Sequence, residues 1–122
     1  MKYINILIID RDKSNIYETK KHFKNNVNTR IFQAQNMRES LKIVIKNQID
    51  LIIYDFQMPY FNSFEIAKIL QKNSINTKVS FVFVGYLFEK ELSKANNIEY
   101  VSKPINSFNL QSKINKYIEL VI

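Results

Sequence analysis

The chain has 122 residues, 46% apolar and 24% charged, which suits one soluble domain with one hydrophobic core and leaves too little length for two. Zero cysteines, one histidine (His22) and one glycine (Gly85) exclude a disulfide scaffold, a thiolate nucleophile, cysteine or multi-histidine metal sites and glycine-rich phosphate loops. The net charge of +7 could favour nucleic acid, anionic lipid or an acidic partner, but 15 of the 18 cations are dispersed lysines that read more simply as solvated faces.

In chain order, the apolar run at 3–9 (YINILII) is rich in β-branched residues and stops at Asp10, so it predicts a strand. Residues 14–25 follow with helical spacing, Ile16 and Phe23 lying seven apart. TRIFQA at 29–34 predicts a second strand. Residues 37–46 predict a second helix with Asn36 as N-cap and a stripe of Met37, Leu41, Val44 and Ile45. The run 49–54 predicts a third strand that stops at Asp55. Asn62 can cap a third helix carrying Phe64, Ile66, Ala67, Ile69 and Leu70. Residues 79–84 (VSFVFV) predict a fourth strand stopping at Gly85, and 87–96 a short, weak fourth helix. Residues 98–102 (IEYVS) predict a fifth strand before Lys103-Pro104, and 107–120 a last helix, with Asn106 as its cap and Leu110, Ile114, Tyr117 and Val121 on one stripe.

This is β-α repeated five times within one domain, 1–122. Near-continuous apolar strands imply a parallel sheet covered on both faces, and right-handed crossovers make it a doubly wound α/β sandwich. The chain shows no internal repeat, linker or low-complexity segment. No apolar run reaches a membrane span. MKYINILIID lacks the features of a secretory signal, so a cytoplasmic location is expected. The apolar end YIELVI either packs on the body or continues into something longer.

In an open parallel sheet, ligands bind beyond the carboxyl ends of the strands. Those ends carry Asp10-Arg11-Asp12, Asp55, Gly85-Tyr86 and Lys103-Pro104. Carboxylates gathered there repel by about 4 kcal/mol per close pair at an effective dielectric near 20. A divalent cation or a fixed basic group relieves that repulsion. Oxygen ligands favour Mg²⁺, which takes one or two carboxylates plus a phosphoryl group. A carboxylate can also attack phosphorus and form an aspartyl phosphate, with a lysine holding the phosphoryl oxygens.

With ILIIDRD at 6–12, LIIYDFQMP at 51–59 followed by NSFE at 62–65, and YVSKP at 100–104, the whole chain resembles the receiver domain of two-component response regulators. The resemblance implies a flavodoxin-like fold of strand order 2-1-3-4-5. It makes Asp55 the phosphoacceptor, loaded by a histidine kinase or phosphotransfer protein. Asp10 becomes the first member of an acidic metal-binding pair, Lys103 the lysine that contacts the phosphoryl group, and the Gln57 carbonyl a magnesium ligand. Tyr100 becomes the aromatic that rotates during switching. The output would pass to a downstream protein or a C-terminal output domain, through the surface of the fourth helix, fifth strand and fifth helix. A homodimer is also possible on that surface. The protein would not be an enzyme in the turnover sense.

Three positions depart from the family pattern. Arg11 stands where the second metal-binding acid is expected, and Asp12, one residue on, is the substitute acid. Gly85 stands where a serine or threonine is expected, 30 residues after Asp55. Tyr86 follows in place of a small residue and could cover the pocket. The segment from Gly85 to Lys103 is short, which predicts a stunted fourth helix.

Arg11 has two readings. Its guanidinium could sit between Asp10 and Asp55 and supply part of a metal's charge, or it could face solvent while Asp10 and Asp12 bind magnesium. The functional alternative to a phosphoacceptor is a pseudo-receiver that binds or dimerises without phosphorylation. A nucleic-acid binder rests on charge alone. Plainer roles also exist: Asp55 as a turn residue, Lys103 as a surface lysine, Tyr86 and Tyr100 as half-buried aromatics. His22, among Lys20, Lys21 and Lys24, reads as part of a solvated face, and Phe61, Phe64, Phe81 and Phe83 as core.

Overall fold

The computed structural model describes residues 3–24, 28–55, 63–76, 78–85, 98–102 and 110–112. The elements run β1 (Ile4–Ile9), α1 (Lys13–Lys21), β2 (Thr29–Ala34), α2 (Met37–Lys46), β3 (Leu51–Asp55), α3 (Ser63–Asn73), β4 (Ser80–Gly85) and β5 (Ile98–Ser102). Residues 110–112 are helical. The five strands form one sheet of order β2-β1-β3-β4-β5, and every pairing is parallel. The flavodoxin-like α/β expectation therefore holds. The expected helix at 87–96, the caps Asn62 and Asn106, Phe61 and most of the last helix lie outside the described residues, as does the side chain of Phe64.

The alternation of side chains along each strand sorts the core into two layers. Leu7 and Ile9 of β1, Ile52 and Tyr54 of β3, and Phe81 and Phe83 of β4 pack with Val44 of α2 and Ile66, Ala67 and Leu70 of α3. Ile4, Ile6 and Ile8, then Leu51 and Ile53, then Val82 and Val84, pack with Ile16 and Phe23 from the first helical region and with Leu110. Both faces of β1, β3 and β4 are thus covered, as their apolar runs imply. On the α2–α3 side the Phe83 ring lies 5.6 Å from Tyr54 and 6.1 Å from Phe81, tilted against both, an arrangement aromatic quadrupoles favour.

β2 behaves differently because it is an edge. Arg30 and Gln33 are exposed, and Arg30 stacks over the Tyr3 ring at 4.0 Å. Charged and polar side chains on an edge discourage pairing with another chain.

Two helices depart from their sequence reading. α1 begins one residue early, capped by Asp12, and ends at Lys21, with His22 as its C-cap. In α2 the expected stripe loses Ile45, which is 51% exposed. Ile43 packs against the core instead, and Ser40 is fully buried. The Ser40 hydroxyl donates to the Asn36 carbonyl at 2.7 Å, so its burial leaves no polar group unmet. The Asn36 cap is as expected: its side chain accepts from Glu39 N at 2.9 Å.

Candidate functional site

The carboxyl edge of the sheet is built by register. Ile9 pairs with Tyr54, and the Asp10 amide continues the ladder by donating to the Ala34 carbonyl at 3.0 Å. One step beyond the last β1–β3 pair, Asp10 stands beside Asp55 on neighbouring strands, whose spacing is about 4.8 Å. Both follow the side-chain parity of Ile8 and Ile53, so they belong to one face of the sheet. Their relative exposures are only 5% and 7%. The pair predicted from the strand ends is therefore brought together and largely removed from water. Burying like charges side by side opposes folding unless something compensates them.

The loop after β1 is tightly braced. The Asp12 amide donates to Asp10 Oδ1 at 2.9 Å, and Asn15 Nδ2 reaches the same oxygen at 3.4 Å. Asp12 turns its own carboxylate to α1: Oδ1 accepts from the Ser14 hydroxyl at 2.7 Å and the Ser14 amide at 2.9 Å. The Ser14 hydroxyl, then the Ser14 amide, hold the Asp12 carboxyl below its usual range, with a smaller contribution from Arg11. Asp12, the substitute acid, is thus exposed and serves as a helix cap.

Arg11 is exposed. Its backbone carbonyl accepts from Gln35 Nε2 at 3.0 Å, and the Gln35 amide donates to Glu39 Oε2 at 2.8 Å. The loop carrying Arg11 is in this way tied to the start of α2. Sequence reasoning missed Gln35 and Asn15, whose contributions are contacts of the folded chain; the Asp12-x-Ser14 spacing was the one available signal for the α1 cap.

On the other side of Asp55, Val84 of β4 is its register partner. Gly85 follows, buried and paired with Ser102 of β5. A glycine there supplies no hydroxyl. Tyr100 pairs with Phe83 through the backbone; its side chain, and Gln57, Tyr86, Lys103 and Pro104 altogether, lie outside the described residues. Tyr54, just before Asp55, is buried, and its phenol is pushed well above its usual value by burial first and by the Asp55 charge second. His22, half-buried, accepts from Gln111 Nε2 at 2.6 Å through its carbonyl.

Receiver domains in general bind Mg²⁺ at an acidic pocket. Asp10 and Asp55 match the one or two carboxylates that Mg²⁺ takes. Asp12, the nearest further acid, is engaged at the α1 cap, and Arg11 is exposed. Among the described residues Asp10 and Asp55 are the carboxylates that would hold the ion.

Among the described residues no helix is long and apolar enough to cross a membrane. A crystal structure of a two-component response regulator from Clostridium difficile superposes with a TM-score of 0.80 at 23% identity, covering 95% of this chain and 96% of that one. The chemotaxis response regulator CheY4 of Vibrio cholerae gives 0.74 at 20% identity, covering 95% and 99%. These likenesses establish the fold. In sequence the chain is 24% identical over 89 residues to the transcriptional regulatory protein NatR of Bacillus subtilis, covering 73% of this chain and 38% of NatR. It is 32% identical over 92 residues to the probable transcriptional regulator ycf29 of Pyropia yezoensis, covering 72% and 41%. The match thus spans about two-fifths of the length of these relatives. The model of the response regulator receiver domain family matches residues 6–115, and the chain belongs to that family of two-component signalling regulators.

Proposed function

We propose that this domain, 1–122, accepts a phosphoryl group on Asp55 and passes the change to a partner or output domain. The observation that carries the reading is the Asp10–Asp55 pair, two buried carboxylates side by side at the carboxyl edge. An Asp55 oxygen attacks phosphorus in a phosphohistidine or acyl phosphate donor. A P–O bond to Asp55 forms as the bond to the donor nitrogen or oxygen breaks, and the leaving group departs with the electron pair. Lys103 holds the phosphoryl oxygens. Asp10, Asp55 and the Gln57 carbonyl are the ligands if a magnesium ion takes part, and Tyr100 is the switching aromatic. The donor is a histidine kinase or phosphotransfer protein of the cytoplasm. The output goes to a downstream protein, a C-terminal domain or a second copy of the chain.

Gly85 favours a second reading, a phosphorylation-independent pseudo-receiver that binds or dimerises through the same fold. Tyr86, following it, adds weight to that reading. The two readings separate on intact mass. Incubation with acetyl phosphate should add one phosphoryl group, mapped to Asp55 and lost in Asp55→Asn. An unchanged mass under all conditions establishes the pseudo-receiver.

A further inference from the structure

We propose that the α2–α3 layer docks an acidic protein segment at the amino ends of the strands. The docking surface is centred on Ile45 and Ile75 and bordered by Lys42, Lys46, Lys72 and Lys78. The segment presents aliphatic side chains between its carboxylates. This surface is separate from the Asp10–Asp55 edge and does not rest on the reading of Asp55 as phosphoacceptor.

Its place follows from the connections. In a parallel sheet each crossover helix returns the chain from the carboxyl ends of the strands to their amino ends. The last turns of α2 and α3 therefore lie at the edge opposite Asp55. There the Ile75 amide donates to the Val44 carbonyl at 3.0 Å, which sets Ile75 beside Ile45 in the backbone. Ile45 is 51% exposed and Ile75 54%. A single exposed isoleucine needs no explanation, but two side by side make a patch. The backbone beneath them is braced. Asn47 Nδ2 donates to the Ile43 carbonyl at 3.0 Å, Asn76 Nδ2 to the Ile49 carbonyl at 2.8 Å, and Lys78 N–H to Asn76 Oδ1 at 3.0 Å. Two apolar side chains on a fixed backbone lose little chain entropy when a partner covers them.

Charge selects the occupant. Lys42, Lys46, Lys72 and Lys78 are exposed, and none is paired with a carboxylate among the described residues. Lysines in a last helical turn also complement the helix dipole. The terminal carbonyls here are already met, however: Ile43 by Asn47, Val44 by the Ile75 amide, Ile69 by Asn73 Nδ2 and Leu70 by Ser74 Oγ. The acids Glu39 and Glu65 sit in the first turns of α2 and α3, at the far edge. The surface is thus apolar at its centre and positive around it, which an aliphatic segment flanked by carboxylates complements. A second copy of the chain would set lysine against lysine across a twofold axis. A lipid surface calls for a helix whose long apolar face is available, whereas α2 packs Leu41 and Val44 into the core.

Selection of a random peptide library on the immobilised chain tests the proposal, with the enriched peptide then titrated into the isotope-labelled chain by amide NMR. Enriched sequences should place Asp or Glu on both sides of Leu, Ile or Val, and shifts should cluster at 42–46 and 72–76. Ile45→Ser and Ile75→Ser should each weaken binding about tenfold, as loss of a central anchor does. Lys46→Glu with Lys72→Glu should weaken it by a similar factor, and raising salt from about 50 to about 500 mM should do so severalfold. Lys20→Glu, the same charge change on α1, and Asp55→Asn should leave it unchanged. Far-UV circular dichroism should not change in the patch variants, since these side chains are exposed. Enriched peptides without acids, or shifts that map elsewhere, overturn the proposal. So does sedimentation of the chain with phosphatidylcholine–phosphatidylserine vesicles that Ile75→Ser abolishes, which assigns the patch to a membrane. A dimer in sedimentation equilibrium that Ile75→Ser disperses overturns it in favour of a second copy.

Discussion

At the amino ends of the strands, Asn5 and Asp50 clasp one another: Asn5 N–H donates to Asp50 Oδ2 and Asp50 N–H to the Asn5 carbonyl, each at 2.8 Å. Asn5 Nδ2 reaches the Gln48 carbonyl, and Asn76 Nδ2 the Ile49 carbonyl, also at 2.8 Å. Two amide oxygens there, on Asn5 and Asn28, are buried with no hydrogen-bond partner, while the Asp50 carboxylate is bound to backbone. At the carboxyl ends, two buried carboxylates stand next to each other instead. Polar groups at the first end pin β1 to the start of β3. Those at the second end, Asp10 and Asp55, are the pair on which the proposed phosphoryl chemistry rests.

The two ends should respond to mutation with opposite signs. Asp50→Ala removes a charged acceptor from a backbone amide and should cost about 2 kcal/mol of unfolding free energy in urea titrations. Asp55→Asn relieves the like-charge pair at nearly constant volume and should raise stability by about 1–2 kcal/mol in the same assay. Equal destabilisation by both would erase the distinction. Asn36→Ala belongs to neither end and should cost about 1 kcal/mol, as loss of an N-cap does; it calibrates the other two.

A smaller effect sharpens the picture of the Asp55 surroundings. The Tyr54 phenol is raised above its ordinary 10.0 by burial and by Asp55. The unfolded chain therefore loses that proton first as pH climbs. Its contribution to stability is complete below pH 10 and falls away above it, through the raised folded value. Tyr54→Phe should flatten the alkaline limb of a stability–pH curve, and Asp55→Asn should flatten it less, because burial is the larger cause.

Strands were legible in the sequence because sheets covered on both faces need unbroken apolar runs, and β1, β3 and β4 supply them. Asp10 and Asp55 were legible as the first charges after such runs. The α2 stripe was only half legible. Around a helix of 3.6 residues per turn, Ile43 and Ile45 flank the buried face at equal angles, and only the neighbouring elements decide which goes in. Ser40 was invisible because its burial depends on a bond to the Asn36 carbonyl. Gln35 was invisible for the same kind of reason: its partner, the Arg11 carbonyl, lies 24 positions away.

The most direct measurement is a beryllofluoride titration followed by amide NMR, in wild type and Asp55→Asn. The expected result is saturable shifts at Asp10, Arg11, Asp55 and Gly85 in wild type and none in the variant. Shifts that are absent from wild type, or that persist equally in Asp55→Asn, would contradict a phosphoryl site at this edge.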